Sequence, residues 1–198
     1  KLHDEGVSYS DIAIFYRTNN GSRPLEDAFI RTGLPYKVVG GTRFYERMEV
    51  QDIVAYLKVL ENPADTVSLR RIINTPRRGI GDRAISCLAV FAEQQGISLW
   101  EACCRAKEGV VPFLNSRAEK SIASFVELMT DIQHHIAGRD HTAGEGSLPD
   151  LGEIVEMVID RSGYRASLEG SNDSQDQSRL DNLKELVSVA HEFSADAA

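Results

Sequence analysis

Cysteine is scarce in this chain: Cys87, Cys103 and Cys104 are all there is. An odd count with two adjacent residues makes no disulfide framework, and a reduced, cytoplasmic protein is the reading that follows. With no CxxC and no paired Cys/His spacing, no zinc site is expected. No apolar run approaches the roughly 18 residues that a membrane span needs, so no membrane partner is expected. A basic-then-apolar leader is also missing. So is the phosphate loop Gly-x4-Gly-Lys-Ser/Thr, together with any acidic strand motif for Mg2+. The chain by itself should therefore hold no catalytic residue, no cofactor and no metal. His134-His135 has no third ligand nearby in sequence and reads as solvated helix. The first residue is Lys1, not methionine, and Lys-Leu-His-Asp-Glu-Gly resembles the last turn of a helix, so an excised piece of a longer protein is expected.

What is present is ordinary globular composition, with 42% hydrophobic and 26% charged residues, too apolar for disorder. The net charge of -8 at first argues against nucleic acid, but its distribution argues otherwise. Residues 67–110 hold seven basic and four acidic residues, while 139–198 hold five basic and thirteen acidic. One local surface can therefore meet phosphates while the acidic half faces water or a partner.

Residues 11–17 and 35–39 are short apolar runs that predict buried strands, with a helix between them on Leu25, Ala28 and Phe29 that Gly33 stops. That β-α-β start predicts a piece of a parallel α/β sheet. After Gly40-Gly41 the period is helical throughout. Val50, Ile53, Val54, Leu57 and Leu60 trace one face, and a short helix near 66–74 stops at Pro76. Ile85, Leu88, Ala89 and Ala92 trace another face. Ser98 with Glu101 and Ser116 with Glu119 predict capping boxes. Ile122 to Ile136, Leu151 to Val158 and Leu180 to Ala190 supply three further helices, with loops at 138–147 and 170–176. The fold class is thus mainly α: a partial α/β piece over 1–42, then a helical domain over 43–198. The first is expected to be the less protected, since it is torn from a larger sheet.

Three clusters carry chemistry. Gly79-Ile80-Gly81 is a glycine-hydrophobe-glycine turn between short helices. Such a turn bends tightly, anchors on its isoleucine and aims the amides of the next helix outward, where they and the helix dipole favour a phosphate. It resembles a helix-hairpin-helix element, and Arg77, Arg78 and Arg83 would add charge. Alone, the turn reads first as a glycine-rich connection, and the three arginines beside it favour the DNA reading. Tyr16-Arg17-Thr18-Asn19-Asn20 offers a stacking face, a phosphate partner and an amide, the parts of a single-strand ledge, although alone a strand-end arginine reads as a solvated side chain. Gly40-Gly41-Thr42-Arg43-Phe44-Tyr45 puts a cation and two aromatics at a helix start, although Phe44 and Tyr45 read as well as core plugs.

In order, the run from Asp11 to Asp65, the LRRIINTPRRGIGDRA segment at 69–84, RSGYR at 161–165 and SRLDNLKEL at 178–186 resemble the UvrD/PcrA/Rep group of superfamily I DNA helicases. The resemblance implies that 1–42 is part of the second RecA-like motor domain (2A). It implies that 43–198 is the DNA-binding subdomain inserted in it (2B). Arg17, Asn19 and Arg43 would touch the tracked single strand; Arg77, Arg78, Gly79, Ile80, Gly81 and Arg83 would grip the duplex ahead of the fork. ATP and Mg2+ would be bound elsewhere in the full protein, and DNA repair or replication would be its setting. Partners would be a single-strand/duplex junction and the remaining helicase domains. The other reading is a protein-protein module whose acidic half recruits a repair or transcription partner.

Overall fold

The computed structural model describes residues 3, 6–16, 19–39, 43–140, 150–170 and 173–197. It divides into two compact units, Lys1–Arg47 and Met48–Ala198.

In the first unit, helix α1 (Arg23–Thr32) follows a 3-10 turn at Asn19–Ser22 and is stopped by Gly33 in the left-handed region, φ 67°. The amide of Leu34 closes that end on the Phe29 carbonyl at 2.9 Å. Among the described residues there is no strand, and 12–16 and 34–38 carry no ladder hydrogen bonds. A strand is completed by the neighbour that pairs with it, and neither segment has one here, so Phe15 and Val39 stand 93% and 84% exposed. The inward face of α1 is also not the predicted apolar one. Arg23 and Glu26 are buried, while Leu25 and Phe29 are half-buried and Ala28 is exposed.

The second unit is all helical over its described residues: α2 (Met48–Glu61), α3 (Thr66–Ile72), α4 (Asp82–Gln95), α5 (Leu99–Ala106), α6 (Ser116–Asp140), α7 (Leu151–Arg161), α8 (Tyr164–Glu169) and α9 (Ser174–Ala197). Helix α2 is central, packed by α3, α6, α7 and α9. Its Val50, Ile53, Tyr56 and Val59 are buried on more than one face, so it is not the one-sided amphipath its sequence suggests. Two carboxylates of α2, Glu49 and Asp52, are buried with it. Asp52 accepts from Arg71 Nε of α3 and Tyr164 Oη of α8, each at 2.6 Å, and Glu49 accepts from Asn182 Nδ2 of α9 at 2.6 Å. The RSGYR and SRLDNLKEL segments thus supply polar ties that fix α8 and α9 against α2.

The Ser98/Glu101 capping box forms as expected. At α6 the cap is instead Asn115, whose Oδ1 accepts the Ala118 amide at 2.8 Å. Asparagine caps as well as serine, and it lies one residue earlier. Helix α6 runs on to Asp140 and α9 begins at Ser174, so both helices enter the segments expected to be loops; 141–149 lie outside the described residues. Among the described residues no helix is long and apolar enough to cross a membrane. Burial pushes the Cys103 thiol up to about 12, and Cys104 is half-buried.

Candidate nucleic-acid interface

The turn between α3 and α4 is built by one side chain. Asn74 Oδ1 accepts the amides of Arg78 (2.8 Å) and Ile80 (3.2 Å), closing the loop around itself. Ile80 is fully buried and pins the turn to the helical core. Gly79 lies at φ 80°, and a Cβ there would meet only Ser121 Oγ at 3.7 Å. The backbone, not space, therefore requires glycine. Gly81 differs: at φ −81°, ψ 170° any residue is accommodated, and nothing lies within 4 Å of an added Cβ. Gly79→Ala should lose about 1–2 kcal/mol in urea unfolding, since an L side chain is strained in the left-handed region. Gly81→Ala should lie within about 0.5 kcal/mol of the parent. Equal losses would show that the two glycines are not distinguished by backbone angle.

Gly81 is the N-cap of α4, and its carbonyl accepts the amides of Ala84 and Ile85 at 2.9 and 3.2 Å. The Asp82 and Arg83 amides ahead of them meet no acceptor among the described residues. Gly81 and both of these residues are exposed, so the opening turn of a 14-residue helix presents donors to solvent. Arg77 and Arg83 are exposed and form no ion pair among the described residues.

Arg78 is turned the other way. Its Nη1 donates to the carbonyls of Ile72 (3.2 Å) and Pro76 (3.1 Å), and its Nη2 to Tyr56 Oη (2.6 Å) and the Ser162 carbonyl (2.8 Å). The guanidinium also lies 5.4 Å over the Phe125 ring. Tyr56 in turn donates to the Thr75 carbonyl at 2.6 Å, and burial pushes its phenol up to about 12 against the pull of Arg78. The three arginines that look alike in sequence are thus two surface cations and one internal strut. The fold adds a cation that the sequence reading missed: exposed Lys120 of α6 shares a depression of about 470 Å³ with Arg78, Ser121 and Ser124. It lies some forty residues from the hairpin in sequence, and nothing local signals it.

In the first unit Arg17 lies outside the described residues, and Asn19 sits in the 3-10 turn before α1 with its side chain outside them. Arg43 is described. Its guanidinium lies 5.0 Å over the Tyr36 ring, 3.5 Å from the Tyr36 carbonyl and 3.8 Å from Glu46. Tyr36 is positioned by buried Glu26, which accepts its hydroxyl and the Phe44 amide at 3.3 Å. Phe44 is buried, whereas Tyr45 is 39% exposed with its hydroxyl on Asp27. Only Phe44 is the core plug that the sequence suggests for both rings.

All 198 residues match one family model, the UvrD-like helicase C-terminal domain. The chain belongs to that family. The chain is 58% identical over 190 residues to the ATP-dependent DNA helicase UvrD1 of Mycobacterium tuberculosis, covering 96% of the chain and 23% of that protein. It is 54% identical to UvrD1 of Mycobacterium leprae, over 97% of the chain and 23% of that protein. With PcrA of Staphylococcus epidermidis it shares 36% identity, over 98% of the chain and 25% of that helicase. The chain thus spans about a quarter of the length of these relatives.

Proposed function

We propose that this chain is the DNA-holding part of an ATP-dependent DNA helicase, as its relatives are named. The first unit belongs to the second RecA-like motor domain, and the helical unit is the inserted subdomain. ATP and Mg2+ are bound elsewhere in the full protein. The observation that carries the reading is the open start of α4: amides of Asp82 and Arg83 that meet no acceptor among the described residues, beside Gly81 and flanked by Arg77 and Arg83, which form no ion pair among them. Amides at a helix N-terminus hold a phosphate without reading a base, and so suit a duplex of any sequence. Lys120, beside Arg78, adds one more cation near the turn. Arg43, stacked on Tyr36, fits a single-strand backbone, with Arg17 and Asn19 as the other contacts.

The test uses Gly81, because a side chain there leaves the fold alone and covers the amides. Gly81→Glu should weaken binding to a tailed duplex by about tenfold or more, with helix content unchanged. Arg77→Ala should lower the slope of log affinity against log salt by about 0.9. Fluorescence anisotropy at several salt concentrations reads both. A Gly81→Glu chain that binds as tightly as the parent would reduce the hairpin to a connection. The alternative, a module that recruits a repair or transcription partner, would then gain.

A further inference from the structure

On the outer side of α4 a groove of about 270 Å³ is enclosed by that helix and the loop between α5 and α6, with Cys87, Val90, Phe91, Pro112 and Phe113 as its apolar walls and Arg83 at one end. It is smaller than the pockets that enclose small-molecule ligands, and its volume suits one or two side chains. Phe113 is 88% exposed and Val90 53% exposed, so a large ring and a branched side chain face water together. Phe113 also has φ 62°, the one positive φ among the described residues other than glycine. A bulky residue adopts that region only under constraint, and such strain concentrates where a side chain must be presented. No packing explains it here, because the ring it presents is exposed.

We infer that this groove is a docking site for a short protein segment with a carboxylate at one end and an apolar side chain one turn or a few residues further on. Charge assigns the occupant. Arg83 closes one end, and that end is also the N-terminus of α4, where the helix dipole is positive. The walls beyond it are mostly apolar, with Ser86 and Gln94 as the neutral polar groups among them. A duplex has charge along its whole backbone and keeps its bases stacked inside, so it has nothing to fill those walls. An acidic-apolar peptide matches both parts, in one direction only, with its acid over Arg83 and its apolar side chain between Val90 and Phe113. The groove follows α4 from Arg83 to Gln94, about 16 Å at the helical rise, which an extended peptide of about five residues spans.

The inference does not rest on the duplex reading, and its test separates them. The probe is a dye-labelled synthetic peptide with two glutamates followed by Leu and Phe, compared with the same peptide carrying lysines for the glutamates. Titrated into the 198-residue chain, the acidic peptide should bind saturably and shift the methyl resonances of Val90. Phe113→Gly removes the ring and relieves the positive φ, so its melting midpoint should equal or exceed the parent's while peptide affinity falls at least about tenfold. Arg83→Glu should exchange the preference toward the lysine peptide. Duplex binding by Phe113→Gly should match the parent. The inference is overturned if the acidic peptide does not saturate, or if the lysine peptide binds equally well. It is also overturned if Phe113→Gly binds the peptide like the parent, if duplex DNA rather than peptide moves Val90, or if Phe113→Gly turns a dimer into a monomer, which would make a second copy the occupant.

Discussion

Arg78→Ala should lower the stability of the helical unit by about 2–4 kcal/mol, whereas the neighbouring Arg77→Ala should leave it within about 0.5 kcal/mol. The Arg78 guanidinium ties α3, the hairpin, α2 and the α7–α8 junction through Ile72, Pro76, Tyr56 and Ser162. A hydrogen bond from a charged donor is worth roughly 1.5–3 kcal/mol, but bonds from one side chain do not add. Alanine leaves three carbonyls without that donor and opens space beside Phe125. Lysine restores the charge but not the planar fork, so Arg78→Lys should recover only part. In a domain of this size each kcal/mol moves the melting midpoint by roughly 2–4 °C. Melting curves of the two alanine variants should therefore differ by several degrees. In duplex titration the order reverses, because Arg77 is the cation free to meet a phosphate. Equal midpoints for the pair would remove Arg78 from its structural role.

Asp52→Ala should also be costly, at about 2–4 kcal/mol, because it strands a buried hydroxyl and removes a charge-assisted hydrogen bond. Asp52 is only 4% exposed and accepts from both Arg71 and Tyr164. Burial, then the carboxylate itself, raises the Tyr164 phenol above its ordinary range, so it stays a protonated donor. Removing Asp52 strands that hydroxyl in the core and leaves the half-exposed Arg71 to solvent. Asp52→Asn keeps an acceptor oxygen and should lose less, about 1–2 kcal/mol. Tyr164→Phe removes the donor, so the double variant Asp52→Ala/Tyr164→Phe should be more stable than the sum of the two single losses implies. Urea unfolding of the four proteins reads the coupling. Strict additivity would mean that the two side chains do not act as a pair.

Much of the helical unit was legible. The helix at 48–61 and the capping box at Ser98 follow from period and cap chemistry, which act within a few residues. The buried faces were read less well. α2 is buried on several sides, and α1 turns Arg23 and Glu26 inward instead of Ala28. A one-dimensional period assumes one apolar face, and a central helix has several. The capping-box spacing does not signal Asn115 as the α6 cap, because its third following residue is Ala118, whereas Ser116 has Glu119 in that place.

By itself the sequence determined the family, the helical character from Met48 onward and the place of the Gly79-Ile80-Gly81 turn. These rest on local order along the chain: residue spacing, caps and the glycine that a positive φ demands. Which of three similar arginines turns inward, where Lys120 lies, and that Asp52 pairs with Arg71 and Tyr164 were decided only by the tertiary structure. Arg77 and Arg78 are adjacent and chemically identical. A guanidinium becomes a strut or a surface charge according to the acceptors around it, and the Ser162 carbonyl that Arg78 meets is 84 residues away. Hydrogen-bond partners at that separation leave no local pattern, so only the packed chain assigns them.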